Sequence, residues 1–307
     1  MKFYLSTLFI TLFCSTALLA SPDDVVNPDT TIVRVPKMIR QASHVEYIHE
    51  LLKLALDKTK SEYGDYDIRY HESETLPERQ LKGLEGGEQV SVTYSHAKSR
   101  WDTAAIRVPF PLIKGLGSYR FFFTMPQHIP TLEKLNLKKD FYQFSYGQGL
   151  GWSTAGILED NQYRVVYGSS YAGMFVMLNA NRFDLLMRSA YEILGERPHL
   201  SKQHPKITFY PHVAMLTFLP MYFYVSDAQP DLATRLEKGL KAAAESGEFD
   251  ALFNRYFTDA VNFSLSPSVR TFWIDNPNVT SEQFDELKPY LLPTLIEKIE
   301  PHFASDM

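Results

Sequence analysis

The stretch LPMYFYVSDAQPDLATRLEKGLKAAAESGEFDALFNRYF, residues 219–257, holds a strand and two helices in one continuous reading. With Thr217 ahead of it, the run TFLPMYFYV is apolar almost throughout up to Val225, as a buried strand must be. A helix follows over 231–246. A second, shorter helix places Phe249, Leu252, Phe253 and Tyr256 on one face, at the i, i+3, i+4, i+7 spacing of an amphipathic helix. These elements need a sheet to pack on.

The first third of the chain supplies one. TIVRV from Thr31 reads as a strand, and Val45, Ile48, Leu51, Leu52 and Ala55 repeat at helical spacing through Lys58. YDIRY from Tyr66 alternates like a second strand, Pro77 opens the short helix PERQLKGL, Gly86-Gly87 ends it, and QVSVTY up to Tyr94 is a third strand. The β-α-β-α-β order predicts a parallel sheet flanked by helices. Ligands in such sheets sit beyond the carboxyl ends of the strands, here near Pro36, His71-Glu72 and Ser95-His96.

A second α/β unit follows. YRFFFT, 119–124, and the run 141–146 are strands; Gly147-Gln148-Gly149-Leu150-Gly151 turns into a helix opened by Ser153-Thr154. Residues 163–167 and RFDLLM, 182–187, are further strands, between which Ser169 or Ser170 caps a helix carrying Tyr171, Met174, Phe175 and Leu178. GERPHLSKQHPK, 195–206, reads as a polar connection, and the segment after Val261 as a structured appendage with a helical part near 287–299.

Compartment and partners are bounded by the ends and the charge. Lys2 precedes the uncharged run FYLSTLFITLFCSTALLA, which stops at Ala20 before Ser21, the pattern of a cleavable secretory signal peptide over 1–20; the competing reading is an uncleaved membrane anchor, since the run is near the lower length limit for spanning a bilayer. Cys14 is the one cysteine of the 307 residues and leaves with that segment, so disulfides, thiolate metal sites and cysteine nucleophiles are not expected. A formal net charge of −5 argues against a nucleic-acid partner. The length suits two domains of roughly 100–150 residues each. No cofactor or metal is expected: His199, His204 and His212 lack tight spacing, and His44 and His49, five apart, do not share a helical face. GSSYA, 168–172, misses the second glycine of a nucleophile elbow.

Four stretches together resemble the type 2 periplasmic solute-binding proteins of the polar amino-acid group: ERQLKGLEGGEQVSVTYS, VPFPLIKGLGSYRFFF, GQGLGW with the later LNANRFDLLM, and residues 219–257. The likeness covers about residues 28–258. It implies an α/β fold of two lobes, each a mixed sheet flanked by helices, that close about a hinge on a solute between them. Lobe one is then 23–118 plus 217–307, and lobe two 119–216. The implied function is binding of a small polar, amino-acid-like or carboxylate-bearing solute in the periplasm, by a monomer that serves an ABC permease or a membrane sensor. A clamshell enzyme such as a dehydratase is the alternative, with Glu72 as its candidate acid.

The resemblance also points to site residues. Arg100 lies near the position of an arginine that grips a ligand carboxylate, a task suited to the planar guanidinium; the competing reading is a solvated loop arginine. Tyr94 and Ser95 end the preceding strand and line the same wall, or pack as an ordinary strand end. Gly151, Trp152 and Ser153 stand where the lobe-two helix meets the ligand, with backbone N–H groups at a helix start available to an anion. Where amino-acid binders carry an aspartate for the ammonium, this chain has Arg188-Ser189. Arg188 there favours a second anionic group, unless it is a surface residue at a strand end.

Overall fold

The computed structural model describes residues 30–37, 43–74 and 77–303. The signal peptide expected over 1–20 lies outside the described residues. No described helix is long and apolar enough to cross a membrane.

Lobe one begins with β1 (Thr31–Lys37), α1 (Ser43–Lys58), the single turn α2 (Lys60–Tyr63) and β2 (Tyr66–Glu74). It continues through α3 (Pro77–Leu84), β3 (Val92–His96), α4 (Ser99–Ala104) and the short β4 (Ile106–Arg107). The chain then crosses into lobe two with β5 (Tyr119–Thr124), α5 (Ile129–Glu133), β6 (Ser145–Gly149), α6 (Ser153–Asp160) and β7 (Arg164–Gly168). After these come α7 (Tyr171–Asn179), β8 (Leu185–Ser189), α8 (Ala190–Gln203), β9 (Thr208–Phe209) and β10 (Val213–Leu216). It returns through β11 (Met221–Val225), α9 (Pro230–Glu245) and α10 (Glu248–Ser264), and ends with β12 (Arg270–Trp273), α11 (Ser281–Leu287) and α12 (Pro293–Phe303).

The expected parallel pairing holds for β1 and β2, with Val33 opposite Ile68. The third predicted strand forms a separate antiparallel sheet, β3-β11-β4, in which Phe223 faces Tyr94. Its lead-in still joins β1, because the Ser91 amide donates to the Arg34 carbonyl at 2.8 Å. Helices α1 and α9 cover this half. They approach so closely that a Cβ at Gly239 would collide with the carbonyl of Ala55, which explains a glycine in the middle of a long helix despite its poor propensity.

Lobe two is one mixed sheet of seven strands in the order β12-β10-β5-β8-β6-β7, with β9 added on β5. Strand β12 comes from the segment assigned by sequence to lobe one, yet it pairs in parallel with β10, Val213 opposite Arg270. The boundary at 217 is therefore crossed back. The reason is an edge: β10 is fully buried, and without a neighbour its amides and carbonyls would lack partners.

A second departure is α8. Residues 195–206 read as a loop because Gly195 and Pro198 oppose a helix, but Ser189 and Glu192 form a capping box at its start and Tyr191, Ile193 and Leu200 are buried along it. Burial outweighs propensity here. The helix packs against α1 and α10, so the lobes share an aromatic seam: Tyr191 on Phe257 with ring centroids 5.5 Å apart, and Phe263 on Phe121 at 4.5 Å. Helix α10 runs to Ser264, eight residues past Tyr256, to reach this contact.

Two chain crossings join the lobes side by side. The Thr217 amide donates to the Ser118 carbonyl at 3.1 Å, and the Leu219 amide to the Ser118 hydroxyl at 3.1 Å. The appendage braces them. Phe284 packs on Phe218 at 5.2 Å and stacks on Phe303 at 4.9 Å, while the Leu292 amide donates to the Lys114 carbonyl at 3.1 Å.

Candidate functional site

A pocket of about 190 Å³ opens between the lobes. Strand β3 and the residues after it form one wall, the glycine turn and α6 the facing wall, and β5, β8 and α8 the floor.

Tyr94 and Ser95 line the first wall, as the sequence predicts, at the end of β3. Arg100 does not line it. Helix α4 starts at Ser99, and successive residues on a helix point about 100° apart. Trp101 therefore turns inward and is buried, while the Arg100 side chain is 72% exposed and forms an ion pair with Glu78 at 2.5 Å. The cation that lines the pocket is Lys98, two residues earlier, at the N-cap of α4. Its ammonium donates to the Gly151 carbonyl on the opposite wall at 2.7 Å and lies 4.8 Å from the Trp101 ring. Burial lowers its pKa to about 8, opposed by Glu78 and assisted by Arg100.

Gly151, Trp152 and Ser153 are brought together on the second wall. The turn needs its glycines: Gly151 has φ of 79°, and a Cβ at Gly149 would lie 2.5 Å from the Trp152 indole. Trp152 is the N-cap of α6, in extended conformation, and makes no side-chain cap bond. The first-turn amides of Ser153 and Thr154 thus start the helix beside the pocket without a capping side chain. The Thr154 hydroxyl donates to Gln148 at 2.6 Å, fixing the turn against the sheet.

Arg188 also lines the pocket, at the end of β8, but its charge is engaged. Its Nε lies 3.1 Å from both carboxylate oxygens of Glu196, its Nη2 bonds the same group, and Glu192 sits at 2.8 Å. The guanidinium lies 5.0 Å from the Trp152 ring and 5.5 Å from Tyr171. Arg188 is therefore a buried structural cation beneath Trp152, and the reading that it draws a second anionic group must be corrected. Burial would raise the Glu192 pKa, yet Arg188 and Arg120 outweigh it and bring it to about 2.

Two lining residues, Arg120 and His44, escaped the sequence reading, whereas His96 ends a strand where a ligand was expected. Arg120, second residue of β5, is 4% exposed and lines the pocket. Its contacts are long: Glu192 at 3.5 Å and the Gly117 carbonyl at 3.4 Å, with no partner at Nε. One signal was present, a lone arginine inside the aromatic strand YRFFFT. His44 on α1 and His96 at the end of β3 line the same pocket; burial lowers their pKa values to about 4 and about 3, so both are neutral near pH 7. The His96 Nδ1 faces the Leu219 carbonyl at 3.2 Å and, in a neutral ring, is the protonated nitrogen. Nothing is described of the Glu72 side chain. Among the described residues no cluster of three or more His, Cys, Asp or Glu is placed to hold a metal.

No family profile matches this sequence, and no curated protein does. Solved structures do. A periplasmic binding protein of Salmonella typhimurium with high arginine specificity superposes with a TM-score of 0.55 at 11% identity, over 74% of this chain and 99% of its own. A chain from the glutathione-import system of Streptococcus mutans gives 0.55 at 12% identity, over 75% and 95%. An ancestral arginine-binding protein bound to arginine gives 0.53 at 13% identity, over 74% and 98%. This likeness is one of fold: the chain has the type 2 periplasmic binding protein fold, as its sequence resemblance implied.

Proposed function

We propose that this protein binds a small polar solute bearing a carboxylate, between its lobes, as the binding component of a solute-uptake system. One observation carries the reading: the Lys98 ammonium and the first turn of α6 line the same pocket from opposite lobes. A carboxylate between them would meet a cation and the positive end of a helix together. Tyr94 and Trp152 give the pocket flat apolar walls. Similarity in fold to arginine-binding and glutathione-import proteins supports the same reading.

The pocket is suited to binding rather than catalysis. Its lining carboxylate, Glu192, accepts from the Ser189 amide and hydroxyl at 2.8 Å and pairs with Arg188, so it stays ionised and engaged. His44 and His96 are too weakly basic to draw protons near pH 7. The N-terminal segment would carry the chain to the periplasm, where an ABC permease, or in a sensing role a membrane receptor, would meet the liganded monomer.

A thermal-shift screen against amino acids, dicarboxylates, polyamines and small peptides tests the proposal. A solute at 100 times its Kd stabilises the native state by about 2.7 kcal/mol. At least one carboxylate-bearing compound should raise Tm in the natural protein and fail to do so in Lys98→Met. A response confined to polyamines would contradict it.

A further inference from the structure

Three cations line the pocket, and only one of them is neutralised by close contacts. Arg188 holds both Glu192 and Glu196. Lys98 donates to a carbonyl, a neutral partner, and Glu78 offsets its charge only in part. Arg120 shares Glu192 only at 3.5 Å, donates to Gly117 at 3.4 Å, and has a buried Nε without a partner. A guanidinium carries five N–H donors in a fixed fork, and leaving buried donors unsatisfied is costly. An arginine buried to this degree on the pocket floor, with two donors held only at 3.4–3.5 Å and a third without a partner, has capacity left for an acceptor.

We infer that Arg120 forms a second anion subsite on the pocket floor, and that the solute is a short dicarboxylate, with or without an amino group. One carboxylate would lie between Lys98 and the start of α6, and the other at the Arg120 fork. This rests on the proposed binding function and narrows its substrate class. Charge agrees with it: Lys98, Arg120 and Arg188 against Glu192 and Glu196 leave the site with one net positive charge. Size agrees too. A cavity of about 150 Å³ holds benzene, so 190 Å³ suits a solute of roughly eight to ten heavy atoms, as in succinate or glutamate. A cationic side chain such as that of arginine would meet Arg120 on the floor, so the solute class differs from that of the arginine-binding structures of similar fold.

Calorimetric titration of the full mature chain with succinate, L-glutamate, butyrate and L-arginine tests this. Succinate and butyrate share a four-carbon chain and differ by one carboxylate, so the comparison needs no variant. Succinate or glutamate should bind at least about tenfold more tightly than butyrate, as expected for a charge-assisted hydrogen bond, and arginine should bind more weakly still. In Arg120→Lys, which keeps the charge and loses the fork, and in Arg120→Met, that preference should shrink towards unity, with circular dichroism confirming the fold. Binding abolished by Lys98→Met but equal for succinate and butyrate would overturn the Arg120 subsite and leave the binding function standing. Failure of all four compounds to bind would overturn the subsite, while a Lys98-dependent response to some other carboxylate in the screen would preserve the broader reading.

Discussion

The Lys98 ammonium and the Gly151 carbonyl meet at 2.7 Å across the two lobes, so the cation facing the pocket also ties its walls together. Replacing Lys98 by Met removes both roles. Affinity for the anionic solute should fall by about ten- to a hundredfold, the value of one charge-assisted hydrogen bond. Because burial lowers the Lys98 pKa to about 8, the amine loses its charge as pH rises through that value. Affinity should therefore be level below pH 7 and decline above pH 8, as calorimetry from pH 6 to 10 would show. A flat profile to pH 10 would remove Lys98 from the anion site.

Arg100→Ala should behave otherwise. The side chain is exposed and its partner Glu78 is an exposed carboxylate, and such pairs contribute at most about 1 kcal/mol to stability. Solute affinity should stay within about twofold of the natural protein. A tenfold loss would return Arg100 to the binding site.

Arg188 should matter chiefly to folding. Arg188→Met leaves Glu196 buried without its cation and Glu192 with Arg120 alone at 3.5 Å, and breaking a buried pair typically costs about 3–5 kcal/mol. Urea denaturation measures it. The same cluster sets an acid limit: the Glu192 pKa is about 2 when folded against an ordinary 4.5. Its contribution is fully present above pH 4.5 and is lost as pH falls towards 2. In Glu192→Gln that part of the acid dependence should disappear.

The appendage is predicted to be integral to the fold. Phe284 is buried between Phe218 at the lobe crossing and Phe303 on α12. Phe284→Ala should cost about 3–5 kcal/mol, visible as a lowered Tm in a single transition. A separate early transition, with the main one unmoved, would show that the tail folds apart from the lobes.

Much of the architecture was legible because its signals are local. The buried strand at 221–225, the amphipathic helix after it and the glycine turn before Trp152 each announce themselves within ten or so residues. What failed to show depends on distant partners. Pro198 and Gly195 conceal α8, which forms because Tyr191 and Leu200 are buried, Tyr191 against the far lobe. Strand β12 exists because β10, more than fifty residues earlier, needs a neighbour. The cation that lines the pocket is residue 98 and not 100 because the start of α4 decides which of the two faces inward, and that turn is set by burial of Trp101. Arg120 escaped notice because its role arises only where the floor of one lobe meets the wall of the other.

The most direct test is a crystal structure of the protein with its tightest-binding carboxylate solute. The solute should occupy the space between Trp152 and Tyr94, with carboxylate oxygens within hydrogen-bonding distance of Lys98 Nζ and the Ser153 or Thr154 amide. Density for it on an outer surface, or held by Arg100 with Lys98 untouched, would contradict the assignment.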